Sequence, residues 1–148
     1  RSVSEKLLKP LHASCVAINE IGVLLRGPSG SGKSDLTLRL IGDGAILVAD
    51  DQVQLKDVAG SLMARAPDLL AGKLEVRGCG ILVFPRLESV TVHLVVDLVP
   101  RLDVQRLPKP GSCQLFGFEL PLYQLHAFDS SCSLKIIKLS KQVALNGR

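Results

Sequence analysis

Gly27-Pro28-Ser29-Gly30-Ser31-Gly32-Lys33-Ser34 is a complete G-x-x-x-x-G-K-[ST] loop, set between the apolar run Ile21 to Leu25 and the amphipathic segment Asp35 to Ile41. Strand, glycine loop and helix in that order make a phosphate grip. Gly27, Gly30 and Gly32 can take positive φ and expose backbone N–H groups. Lys33 can reach β- and γ-phosphates, and Ser34 can ligate Mg²⁺ at a helix N-terminus whose dipole favours anions. The chain is therefore expected to bind a nucleoside triphosphate through residues 27–34.

Outward from the loop, short strands dominate. Cys15 to Ile18 and Val23 to Arg26 read as a hairpin turning at Asn19-Glu20, and the helix runs from about Lys33 to Ile41 with Leu36, Leu40 and Ile41 on one face. Ala45 to Val48 reads as a buried strand ending in Ala49-Asp50-Asp51. Gln52 to Lys56 and Leu62 to Arg65 form a second hairpin, and Leu74 to Val76 and Ile81 to Phe84 bracket Arg77-Gly78-Cys79-Gly80. Val90 to Val99 is the longest apolar run and is expected to be a central strand. Arg101 to Gly111 is a proline-rich, basic loop, Gln114 to Leu122 a hairpin about Gly117, and Ser133 to Leu145 a final helix with Leu134, Ile137, Val143 and Leu145 as its apolar positions. The class is α/β, in a single domain.

Composition narrows the function. The chain has 148 residues, 47% hydrophobic and 22% charged, with few aromatics, so its core must be built from Leu, Val and Ile. No run of about 18 apolar residues could span a bilayer. Arg1 to Pro10 is polar and shows no secretory h-region. Cys15, Cys79, Cys113 and Cys132 form no C-x₂-C pair, which suits reduced thiols in a cytoplasmic protein and not a metal cluster. The formal charge of +4 suits an anionic ligand. The basic residues are scattered without interleaved aromatics, so nucleic acid is not the expected partner.

Two segments could bring a carboxylate back to the loop. Val92-His93-Leu94-Val95-Val96-Asp97 fits the generic metal-binding strand of phosphate-loop NTPases. Ile46-Leu47-Val48-Ala49-Asp50-Asp51 returns only 17 residues after Ser34, and its double carboxylate offers one group as metal or water ligand and one as base. Glu75 and Arg77 alternate with Leu74 and Val76, which also describes a half-exposed strand. The glycines at 78 and 80 add room for close backbone approach to a ligand. His93 reads as a sheet residue, and His126 carries no signal.

His12, the loop GPSGSGKS, LVADDQV (47–53) and KLEVRGCGI (73–81) stand in the order and spacing of the catalytic domain of HPr kinase/phosphorylase, the enzyme family that phosphorylates a serine of the phosphocarrier HPr in phosphotransferase-system regulation of carbohydrate metabolism. The resemblance covers roughly residues 10–107, and LEVRGCGI is similar to a signature that ordinary NTPases lack. It implies a strand-rich fold similar to the nucleotide-binding fold of phosphoenolpyruvate carboxykinase, ATP and Mg²⁺ as cofactors, HPr or an HPr-like carrier as partner, and a homo-oligomer, usually a hexamer. It assigns Lys33 to the phosphates, and Ser34 and Glu75 to Mg²⁺. Asp51 becomes the group that takes the proton from the acceptor serine and returns it in the reverse, phosphate-dependent reaction. His12 and, on looser alignment, Arg106 become active-site residues.

Full-length members often carry a separate N-terminal domain that nothing here resembles, so the chain reads either as a short single-domain form or as a fragment. The family's basic Pro-Val-Arg-Pro-Gly-Arg type loop, important for dephosphorylation, corresponds to Leu120-Pro121-Leu122-Tyr123-Gln124-Leu125-His126, which has no arginine. Two other classes share these motifs: a small-molecule phosphotransferase of carboxykinase-like fold, and a nucleotide-binding regulatory module.

Overall fold

A computed structural model describes residues 4–147, so Arg1 to Val3 of the polar N-terminal stretch lie outside the described residues. The strand before the glycine loop, β3 (Ile21–Arg26), is buried on both faces, which its unbroken apolar sequence requires. It follows β2 (Ser14–Ile18) across a two-residue turn in which Asn19 and Glu20 have φ of 48° and 67°. Two left-handed residues give the twist that joins antiparallel strands directly. On the far side β3 runs parallel to β9 (Val90–Leu98), and β2 pairs antiparallel with β4 (Ile46–Ala49).

The remaining strands extend this centre. The hairpin β5 (Gln54–Val58) and β6 (Ser61–Arg65) joins the sheet where β6 meets Val90 and Thr91, and β1 (Glu5–Leu7) adds to β5. The later half of β9 pairs instead with β11 (Phe118–Leu125), in parallel, and β10 (Gly111–Leu115) closes that hairpin. Among the described residues nine strands thus form one sheet that branches at β9. A separate two-stranded ribbon, β7 (Lys73–Val76) and β8 (Gly80–Val83), carries the Glu75 signature.

Two helices, α1 (Lys33–Gly42) and α2 (Cys132–Leu145), cover one face of the centre. Alternation along β3 sends Val23 and Leu25 into the layer with Leu36, Leu40, Leu94, Val96 and Ile136, and Leu24 into the opposite core with Cys15, Leu55, Leu62 and Val95. Each such fully buried aliphatic side chain contributes about 1.5–3 kcal/mol.

Two irregularities interrupt the ladders on either side of the β2–β3 hairpin. Gly22 is paired with Val92 but Val23 with Leu94, so β9 carries His93 as an extra, bulged residue. A Cβ on Gly22 would lie 2.3 Å from the Thr91 carbonyl oxygen, which is why glycine stands there. Likewise Cys15 pairs with Ala49 but Val16 with Leu47, leaving Val48 as the extra residue of β4, two positions before Asp50. Bulges of this kind re-aim the side chains beyond them.

Some expectations need correction. In α1 it is Thr37, with its hydroxyl bonded back to the Lys33 carbonyl, that shares the buried face with Leu36 and Leu40, while Ile41 is half-buried. In α2 Leu134 and Leu145 are exposed while Ile137 and Val143 pack partly buried against the core, and the fully buried face is Cys132, Ser133, Ile136 and Ser140. The stretch 120–126 is not a loop: through Leu125 it is strand β11, paired with β10 up to Leu122 and with β9 from Leu122 on. All four cysteines are free, and burial pushes the Cys15 thiol up to about 12, leaving it inert. Among the described residues no helix is long and apolar enough to cross a membrane.

Candidate active site

The glycine loop leaves the end of β3 and enters α1 with Gly30 at φ 84° and Gly32 at φ 97°. Gly32 is the N-cap and offers no side-chain cap, so the first amides of α1 point into the cleft undecorated. Gly27 does not use the positive φ open to it. It is glycine because a Cβ would stand 2.5 Å from Ser31 Oγ. Ser31 Oγ is itself buried without a hydrogen-bond partner. Lys33 is buried as well, its ammonium donating to the carbonyl oxygens of Gly27 (2.5 Å) and Pro28 (3.4 Å), so the lysine is held over the loop.

Beside the loop, Asp50 and Asp51 take different positions. Asp50 is buried and accepts from Ser34 Oγ at 3.2 and 3.4 Å and from Ser14 Oγ at 2.8 Å. Desolvation pushes its carboxyl above the ordinary value, against the two serine hydroxyls and the Glu75 backbone amide, which favour the ionised form. Asp51 is open to solvent and accepts a 2.7 Å bond from the His12 ring Nε2–H. The backbone between them is strained. Gln52 N–H donates to the Asp50 carbonyl at 2.7 Å and Asp51 has φ 65°, the rarer hand of γ-turn. Asp51 N–H donates to Ser14 Oγ at 3.3 Å, so one buried hydroxyl fixes both aspartates. A backbone held off its preferred conformation by its surroundings is characteristic of functional sites.

The competing carboxylate is spent elsewhere. In the parallel register Arg26 sits beside Asp97, and its Nε and Nη2 donate to Asp97 Oδ1 and Oδ2 at 2.7 and 3.0 Å. This two-pronged pair holds the guanidinium above its ordinary pKa and ties Asp97 to the sheet, not to the loop.

A cleft of about 610 Å³ gathers Gly30, Gly32, Lys33, Ser34, Asp50, Asp51 and Glu75 in its wall. Glu75 is exposed on β7, whose apolar neighbour Leu74 is buried. The donor set fits Mg²⁺: one hydroxyl and one or two carboxylates, with phosphate oxygens completing the shell, is how that cation is usually held. The uncapped amides and Lys33 fit a triphosphate. His12 borders the cleft through Asp51. Arg106 is exposed on the loop after β9 and is not among the residues lining the cleft. Two residues that sequence reasoning passed over belong to the site: Ser14, whose signal was a lone serine in an apolar strand two positions after His12, and Phe128, one of only four phenylalanines, which lines the cleft beside the loop.

Residues 5–106 match the model of the HPr Serine kinase C-terminal domain. The HPr kinase/phosphorylase of Clostridium novyi is 42% identical over 95 residues, 60% of this chain and 31% of that protein. That of Malacoplasma penetrans is 34% identical over 135 residues, 82% of this chain and 45% of that protein. The chain thus spans less than half the length of either relative. The structure of the Hpr(Ser) kinase/phosphatase from Coxiella burnetii superposes with a TM-score of 0.83 at 28% identity, covering 94% of this chain and 92% of that one. With the glycine loop, the paired aspartates and the Glu75 ribbon in one cleft, and with the family's model matching over more than half of its length, the chain belongs to the HPr serine kinase C-terminal domain family.

Proposed function

We propose that this chain is a Mg-ATP-dependent protein serine kinase acting on HPr or an HPr-like phosphocarrier. The observation that carries the reading is the bond from Ser34 of the glycine loop to Asp50, which places the solvent-open Asp51, held by His12, next to the phosphate grip.

Each residue then has a task. The loop amides and Lys33 bind the triphosphate and neutralise its oxygens as charge develops. Ser34, Asp50 and Glu75 would hold Mg²⁺, which screens the phosphate charge when bound. Asp51 accepts the proton of the acceptor serine as its oxygen bonds to the γ-phosphorus, and the bond to the departing ADP breaks. His12 orients the Asp51 carboxylate through its 2.7 Å bond. Asp51 has 70% of its side chain in solvent, an arrangement suited to a hydroxyl presented by a protein. A small-molecule phosphotransferase would enclose its base, and a regulatory module would have no use for a strained one. Arg106 takes part by resemblance alone.

The same resemblance supports assembly into hexamers in the cytoplasm. The apolar, exposed Ile81, Leu82 and Val83 of β8 are a surface that such assembly would cover. The reverse reaction, attack of inorganic phosphate on phosphoserine, needs cationic screening. The arginine-free β11 and the capture of Arg101 by Asp129 at 2.6 Å make it the weaker direction. Incubation with Mg-ATP and HPr, with mass spectrometry for phosphoserine, tests the assignment. Absence of phosphoserine on HPr, in a protein that does bind Mg-ATP, would contradict it.

A further inference from the structure

The turn between β11 and α2 is fixed from two sides. Arg39, in the last turn of α1, donates to the carbonyl oxygens of Ala127 and, at 3.2 Å, of Asp129. Arg101 donates to Asp129 Oδ1 through Nε and Nη2 at 2.9 and 2.6 Å. His126 Nδ1 lies 3.0 Å from the Val99 carbonyl oxygen, Asp129 N–H donates to the His126 carbonyl at 3.2 Å, and Ala127 is completely buried.

A turn anchored this thoroughly nevertheless holds an aromatic ring out of the core: Phe128 is 55% exposed. Its ring lies against the phosphate loop, since a Cβ placed on Gly32 would stand 3.0 and 3.2 Å from Phe128 Cζ and Cε1. On its other side it meets the His126 ring edge to face, with centroids 5.8 Å apart. Phe128 lines the same cleft as Ser29, Gly32 and Lys33. Solvating an apolar ring costs free energy, and the four polar anchors of the turn maintain that cost in the free protein. A planar, weakly polar group carried on the phosphate chain that the loop grips would recover it by stacking.

We propose that Phe128 is the platform on which the base of the bound nucleotide rests. The proposal rests on the triphosphate reading of the glycine loop. With His126 Nδ1 and Asp129 Oδ1 engaged by Val99 and Arg101, the exposed ring of Phe128 is the group of this turn that offers the base a stacking face.

Titration calorimetry of the full chain with Mg-ATP and, separately, with Mg-tripolyphosphate, which has the phosphates but no base, separates the possibilities. Phe128→Ala is expected to weaken Mg-ATP on the order of 10-fold, the scale of one base–aromatic stack, and to leave tripolyphosphate within about 2-fold. Phe128→Tyr is expected to retain wild-type affinity for both. Equal weakening of the two ligands by Phe128→Ala would mean that the ring only supports the loop, and unchanged ATP affinity would mean that the base lies elsewhere. Either result overturns the proposal while leaving the triphosphate reading intact. A wild-type chain that binds neither ligand overturns that reading, and this proposal with it.

Discussion

Ser14 shows how much chemistry one buried hydroxyl can organise. It donates to the Asp50 carboxylate and accepts from the Asp51 amide, so the two neighbouring aspartates share a single anchor. Ser14→Ala removes a donor from a buried carboxylate, which is expected to cost about 1–3 kcal/mol of stability by denaturant unfolding. It is also expected to lower kcat more than it raises the KM for ATP, with Ser14→Thr restoring part of the loss. A change in KM alone would show that the hydroxyl only fills space. Asp51→Asn is expected to lower kcat by roughly 10²–10⁴-fold with ATP affinity retained, as loss of a base should. Asp97→Asn should keep the Mg²⁺ requirement and lose stability instead, because it leaves Arg26 half-buried without its partner. Kinetics and unfolding of the two variants decide the matter, and the reverse ranking would return Asp97 to the metal.

At the level of elements, the ribbon of β7 and β8 is the part whose role is least explained by packing. Leu74 anchors it, Glu75 and Arg77 face outward, and its left-handed Gly78 and Gly80 turn the chain next to the cleft. Glu75→Gln is expected to raise the Mg²⁺ concentration for half-maximal activity about tenfold, as loss of an anionic ligand weakens a hard-cation site. An unmoved Mg²⁺ curve would make Glu75 a surface charge. The elements around the loop were legible in the sequence because β3 is buried on two faces and writes that as an apolar run, and β9 does the same over Leu94-Val95-Val96. Three features were not legible. Glu5-Lys6-Leu7 is exposed and becomes β1 only through register with Lys56, Asp57 and Val58. The buried face of α2 runs through serines, which no apolar count detects. Phe128 and Ser14 meet neighbours far away in sequence, Gly32 and Asp50, and a lone serine or phenylalanine in the sequence does not name the neighbour it will touch.

For the whole molecule, the site is assembled at a cost in stability with a defined pH signature. Asp50 has its pKa raised by burial, so the folded state binds that proton more tightly than the unfolded chain does. The penalty is therefore present above the folded-state pKa and disappears as pH falls below the unfolded value near 4. Asp50→Asn should raise Tm at pH 7 to 8 relative to wild type, the difference shrinking toward pH 4, while activity is lost. A pH-independent difference in calorimetric Tm would contradict this. A branched sheet brings a β4 bulge, the N-terminus of α1 and the β7 to β8 ribbon to one cleft, with Asp51 left open to solvent at its edge. The most direct test of that account is transfer from γ-labelled Mg-ATP to HPr by wild type and Asp51→Asn side by side. Wild type is expected to leave one phosphoserine on HPr and Asp51→Asn none above background, with both proteins binding Mg-ATP equally. Equal labelling of HPr by the two proteins would contradict it.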